Sequence, residues 1–166
     1  MSSTSIEDLL AKDAINSCLN NYALGMDLRN ADRFRQAWHE DGVWEINSAV
    51  GDRPLRGRGH AGITETVHAL WAMQQLVLHA TTNHEIHITS DGRATGQAHA
   101  VVLGVTSSGA VFADAVVYPE DRLELRDGTW RLTYRLVEVG MHAELPDSAL
   151  LQLFIGAGGA FGPANK

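Results

Sequence analysis

Two residues far apart in the chain offer the most direct chemistry: His79 in Leu78-His79-Ala80-Thr81-Thr82-Asn83, and Asp27 in Asn21-Tyr22-Ala23-Leu24-Gly25-Met26-Asp27. A neutral imidazole takes a proton from carbon or oxygen near neutral pH. A carboxylate on its other ring nitrogen fixes the tautomer and stabilises the cation that forms. An Asp leaving a helix and a His entering a strand form such a pair when a pocket lies between the two elements. Each also has a plainer reading. Asp27 caps the turn through Leu28-Arg29-Asn30. His79 belongs to a solvated strand face, because strict alternation groups it with Thr81, Asn83, Glu85 and His87. A bulge near the start of that strand breaks the alternation and turns His79 inward.

Further candidates flank this pair. Tyr22, five residues before Asp27, is either a core aromatic with a satisfied hydroxyl or a phenol donor in the site. Arg135 stands on a strand, where a surface pair with Glu124 or Glu138 competes with a functional role. Trp38, Trp44, Trp71 and Met26 are core or pocket wall in contact with substrate, and Asn83 caps a turn, holds the His79 strand or binds substrate. The eight histidines form no compact metal signature: His84 and His87 fall on opposite faces of a strand, and His60 and His68 are eight apart on a helix. No metal site is expected. The chain has no GxSxG elbow, phosphate loop or GxGxxG fingerprint.

The elements that position these residues follow from periodicity. Ser5 reads as an N-cap, followed by apolar residues at three- and four-residue spacing from Leu9 to Met26, a helix ending near Gly25 to Asp27. Asn30-Ala31-Asp32 starts a second short helix, which Asp41-Gly42 stops. Val43 to Ile46 alternates as a strand and forms a hairpin with Leu55 to Gly57 across the turn Gly51-Asp52-Arg53-Pro54. A third helix runs from about His60 to Leu76. Beyond Leu78 the period becomes two. Turns at Ser90-Asp91-Gly92, Ser107-Ser108-Gly109 and Arg126-Asp127-Gly128 separate four antiparallel strands near 78–89, 93–106, 110–125 and 129–142. Pro146-Asp147-Ser148 starts a possible tail helix before a Gly-rich end. Helices first and meandering strands later predict an α+β fold: a cone-shaped barrel in which a strongly curved antiparallel sheet wraps around three helices of the N-terminal half. The cone is a mostly apolar pocket for a small molecule.

Bulk properties narrow the function. The 166 residues are one domain's worth, with a core over about 6–142 and a tail over 143–166. The lone Cys18 reads as a buried core residue in a reduced compartment. Glu7, Asp8, Lys12 and Asp13 interrupt any leader-like apolar run, and no stretch is long enough to span a bilayer, so a cytoplasmic protein without membrane contact is expected. A net charge of −7, from 13 Lys and Arg against 20 Asp and Glu, opposes nucleic-acid binding. Apolar residues such as Val101, Val105, Val117 and Leu132 on the sheet's outer face predict a homo-oligomer.

The order of elements and the marked residues resemble a known family. The residues that carry the resemblance are Asp27, Trp38-His39-Glu40-Asp41-Gly42-Val43-Trp44, Gly57 through Leu70-Trp71-Ala72-Met73, His79 to Asn83, Asp127-Gly128-Thr129-Trp130 and Arg135. Over about residues 6 to 140 the chain resembles the polyketide-cyclase-like (SnoaL-like) branch of the nuclear transport factor 2-like, cystatin-like fold. That fold also includes scytalone dehydratase and hexachlorocyclohexane dehydrochlorinase. The resemblance implies an Asp27–His79 dyad, a role for Arg135, no cofactor, and a trimer or dimer. In the dehydrochlorinase a Lys stands one helical turn before the Asp; here that position falls on Tyr22. The implied function is a cofactor-independent lyase of dehydratase or dehydrohalogenase type acting on a small, mostly apolar substrate. The rival readings are an isomerase or cyclase working through an enolate, and a non-catalytic ligand-binding or dioxygenase small-subunit-like protein.

Overall fold

The computed structural model describes residues 5–48, 54–89 and 91–145. Helix α1 (Ile6–Asp27) opens on a reciprocal cap: the Ser5 hydroxyl accepts from the Asp8 backbone N–H, and the Asp8 carboxylate accepts from that of Ser5, both at 3.1 Å. Its buried stripe, Ile15, Cys18, Leu19, Tyr22 and Met26, has the three- and four-residue spacing of one helical face. Helix α2 (Ala31–Gln36) starts where the Asn30 side chain accepts from the Arg33 N–H. It packs so tightly on α1 that a β-carbon on Gly25 would lie 2.5 Å from the Phe34 nitrogen, so this crossing admits only glycine.

Strands β1 (Trp38–Ser48) and β2 (Leu55–Arg58) form the expected antiparallel hairpin, and α3 (Gly59–Met73) follows. The meander then runs through β3 (Gln74–Ile88), β4 (Arg93–Thr106), β5 (Val111–Arg126) and β6 (Thr129–Leu145). At the last hairpin, Asp127 (φ 50°) and Gly128 (φ 73°) adopt the two consecutive left-handed conformations that a tight two-residue turn requires.

Three expectations are corrected. The six strands lie in the order β2-β1-β6-β5-β4-β3, and β1 pairs with β6 in parallel. The sheet is therefore mixed, and it is open at β2 and β3 rather than closed into a barrel. Asp41-Gly42 does not end α2, because the chain has already left the helix at Ala37, whose carbonyl accepts from the Leu132 N–H and draws the next residues into β1. Helix α3 stops at Met73, and Gln74 to Val77 belong to β3. The proposed tail helix at Pro146-Asp147-Ser148 and most of the Gly51–Pro54 turn lie outside the described residues.

The core fills the space between the helices and the concave side of the sheet. Phe34, Trp38, Trp44, Ile63, Leu123 and Leu132 are among its fully enclosed members, and Cys18 donates to the Ala37 carbonyl. Among the described residues no helix is long and apolar enough to cross a membrane.

Candidate active site

Three contacts fix the end of α1. The Trp71 indole N–H of α3 donates to the Met26 carbonyl at 3.0 Å, the Asn30 N–H donates to the Gly25 carbonyl at 2.9 Å, and Gly25 seats Phe34. Asp27, the last helical residue, turns toward β3. Its Oδ1 lies 2.6 Å from His79 Nδ1, and its Oδ2 accepts from the His79 backbone N–H at 3.0 Å. Both side chains are largely enclosed, 7% exposed for Asp27 and 8% for His79. A carboxylate offers only acceptors, so Nδ1 carries the proton, and Nε2 of the neutral ring has no partner among the described residues.

A register shift decides which way His79 faces, and it lies elsewhere than expected. Pairing of β3 with β4 slips between Thr82 and Glu85, where Asn83 has φ 53°. Before the slip the odd positions face inward, as buried Val77 shows; after it the even ones do, as buried Ile86 shows. His79 is thus on the inner face while Glu85 and His87 are outside. A further shift between Gln74 and Leu76 occurs at the strand start, but the mid-strand bulge separates His79 from the solvated residues.

His79 lines a cavity of about 470 Å³ whose walls come from α1, α3 and every strand of the sheet, including Met26, Trp44, Val102, Phe112, Val116 and Val137. Tyr22 and Tyr118 line it too; the Tyr22 ring centre is 6.3 Å from that of His79 and 6.1 Å from that of Tyr118. Burial, and then the neighbouring Tyr118, push the Tyr22 phenol well above its ordinary value, and burial pushes Tyr118 up to about 12. Both rings therefore enter any reaction near neutral pH as protonated donors.

Arg135 lies behind the two phenols. Its guanidinium carbon is 4.3 Å from each ring centre, and it binds Asp121 through Nε and Nη2 at 2.7 and 2.6 Å. Burial alone would lower its pKa, but the Asp121 charge and hydrogen bonds outweigh that and hold it above the ordinary range. Arg135 does not pair with Glu124 or Glu138, and it does not line the cavity.

The wall thus includes His79, Tyr22, Met26 and Trp44, while Asp27 and Arg135 stand behind it and the remaining candidates, Trp38, Trp71 and Asn83, lie outside it. Trp38 is fully buried core, Trp71 spends its indole on the α1 carbonyl, and Asn83 is an exposed bulge residue. Sequence reasoning missed Tyr118 and Asp121, and also Asp114 with His142, whose side chains meet at 2.7 Å in the same wall. The signal for Asp114 was a lone carboxylate within the apolar run Val111 to Val117. Among the described residues no group of three or more His, Cys, Asp or Glu side chains is arranged to hold a metal ion.

Comparison with known proteins places the chain in a family. The SnoaL-like domain family profile matches residues 7–136. The gamma-hexachlorocyclohexane dehydrochlorinase of Sphingobium indicum is 25% identical over 133 residues, 78% of this chain and 81% of the relative. The crystal structure of LinA superposes with a TM-score of 0.79 at 23% identity, covering 88% of this chain and 97% of that one. A Novosphingobium aromaticivorans structure provisionally assigned as a scytalone dehydratase gives a TM-score of 0.71 at 17% identity, over 86% and 92% of the two chains.

Proposed function

The chain belongs to the SnoaL-like domain family, and on that premise we propose that it is a cofactor-independent lyase that eliminates water from a small, mostly apolar substrate. The observation that carries this reading is the 2.6 Å contact between Asp27 and His79 beside an apolar cavity, with Nε2 of the imidazole unpartnered among the described residues. His79 Nε2 takes a proton from a substrate carbon while Asp27 stabilises the imidazolium. The C–H electron pair becomes the new double bond to the adjacent carbon, and the bond from that carbon to its hydroxyl oxygen breaks. That oxygen takes the Tyr22 phenol proton and departs as water; the imidazolium proton returns to the phenolate through solvent, restoring both groups. Lyases among the relatives, a dehydrochlorinase and a structure provisionally assigned as a dehydratase, support the reaction class.

Tyr22 sets the leaving group. A neutral phenol delivers a proton, which oxygen needs to depart and chloride does not, whereas a cationic Lys stabilises departing chloride by charge. The test offers a panel of β-hydroxy carbonyl compounds and a chlorinated cyclohexane to the wild type, His79→Ala and Asp27→Asn. Dehydration of a hydroxy compound that is lost in both variants supports the reading. Turnover of the chlorinated substrate alone, or turnover untouched in His79→Ala, refutes it.

The assembly proposed is a homo-oligomer held through the outer face of the sheet. Val101 and Leu103 of β4 are exposed there beside exposed Leu78 of β3, and exposed Met141 of β6 lies across Ala115 of β5 from Val101. Val105 and Leu132, expected on that face, are buried instead.

A further inference from the structure

The cavity holds a second imidazole–carboxylate pair. His142 Nδ1 lies 2.7 Å from Asp114 Oδ1, and both residues line the wall. Their place in the sheet is set by register: His79 pairs with Val102, Val102 with Asp114, and Asp114 with His142. The four residues form one cross-strand row, and all four face the cavity. Three strand spacings separate the two histidines, about 14 Å along the sheet and less across its concave side.

The two pairs differ in setting. The His142 and Asp114 side chains are 30% and 16% exposed, against 8% and 7% for His79 and Asp27, so the second pair stands where the cavity opens. Its inward neighbours are Phe112, Val116 and Val139, and the Phe112 ring centre is 5.8 Å from that of His142. Packing alone does not call for a polar pair at this place, since well-packed apolar residues substitute for such pairs at little or no cost.

The hydrogen-bond inventory defines the ligand. The Asp114 carboxylate requires the proton on Nδ1, so neutral His142 offers Nε2 as an acceptor. Gln74, also in the wall, has a buried side-chain oxygen with no donor among the described residues. Displacing water from these acceptors costs free energy that a donor on the ligand restores. We infer that Asp114 and His142 form the recognition end of the cavity, with His142 accepting a hydrogen bond from a hydroxyl remote from the carbon that His79 deprotonates. The substrate is therefore a bifunctional molecule, with an acidic C–H at one end and a hydroxyl or phenol at the other. This deepens, and rests on, the reading of His79 as the base. His142 is a specificity-determining residue and Asp114 its positioning residue.

The test uses two ketones of nearly equal shape, 4-hydroxyphenylacetone and 4-methylphenylacetone, which share an acidic benzylic C–H and differ in OH against CH₃. Binding is measured by calorimetry on the wild type, His142→Phe and Asp114→Asn. The wild type is expected to bind the phenol about tenfold more tightly, although the methyl compound is the more apolar. That preference disappears in His142→Phe and shrinks in Asp114→Asn, while affinity for the methyl ketone stays within about twofold, which shows that the cavity remains folded. A wild type that binds the phenol no better than the methyl ketone, or binds neither, overturns the inference, as does a preference that survives in His142→Phe. Exchange of the benzylic hydrogen with deuterated water is followed separately. Its absence counts against His79 as base and leaves the binding result intact.

Discussion

Asp27 holds His79 with both of its carboxylate oxygens, one on the ring Nδ1 and the other on the backbone N–H of the same residue. The two contacts fix the ring rotation and the strand position together, so the tautomer and the aim of Nε2 are set before substrate arrives. Their removal therefore gives distinct outcomes. His79→Ala is expected to lower turnover of an active β-hydroxy carbonyl substrate by about a hundred- to ten-thousandfold, since it deletes the base. Asp27→Asn keeps the shape but offers Nδ1 a weaker partner, and is expected to lower kcat more than it raises KM. Steady-state kinetics of the two variants check this.

Tyr22→Phe removes only the phenol oxygen from a ring packed on Phe34, Trp38, Trp44 and Tyr118. Folding should survive and dehydration should fall. Any loss of chloride the protein catalyses should be unaffected or improved. The ratio of the two rates on wild type and variant measures the effect, and an unchanged ratio would show that Tyr22 does not choose the leaving group.

The Arg135–Asp121 pair predicts a stability signature. Asp121 is 0% exposed and Arg135 3%, so deleting one partner strands the other's charge in the core. Asp121→Asn or Arg135→Met is expected to cost about 3–5 kcal/mol in denaturant unfolding. The double variant Asp121→Asn with Arg135→Met is expected to recover much of that loss. A double variant as unstable as the sum of the singles would show that the pair is not coupled.

All three tyrosines are held above their ordinary value: Tyr22 well above, by burial first, Tyr118 to about 12 by burial, and Tyr134 to about 12 by burial and then by its hydrogen bond to Glu45. The folded chain keeps these protons at a pH where the unfolded chain has lost them, so folding stability is fully present below about pH 10 and falls as pH rises toward 12. Near-ultraviolet titration of tyrosinate should show no ionisation near pH 10 until the protein unfolds. A transition near pH 10 in the folded state would contradict the burial described.

Exposed Val101 and Leu103 on β4, with exposed Met141 in the same cross-strand row on β6, predict association. Light scattering should report an oligomer, and Val101→Lys with Leu103→Lys should shift it toward monomer. A wild-type monomer at working concentration would refute the assembly.

Local signals were legible in the sequence because they are decided within a few residues. The Ser5–Asp8 cap, the α1 stripe ending at Asp27 and the Asp127-Gly128 turn each follow from side-chain chemistry or backbone conformation at the spot. The single-residue shifts that aim the site were not. Counting outward from the last hairpin, Arg126 opposite Thr129 would set Asp121 opposite Tyr134. A slip between Arg122 and Leu123 instead brings Arg135 across from it and buries the pair behind Tyr22 and Tyr118. The slip at Asn83 likewise turns His79 away from the side that bears Glu85 and His87, and the parallel pairing of β1 with β6 joins strands far apart in the chain. Residue types and spacing thus determined which groups were available for chemistry. Their meeting in one cavity was decided by the tertiary structure, because a bulge costs little locally and its position is chosen by the packing of helices and strands remote in sequence.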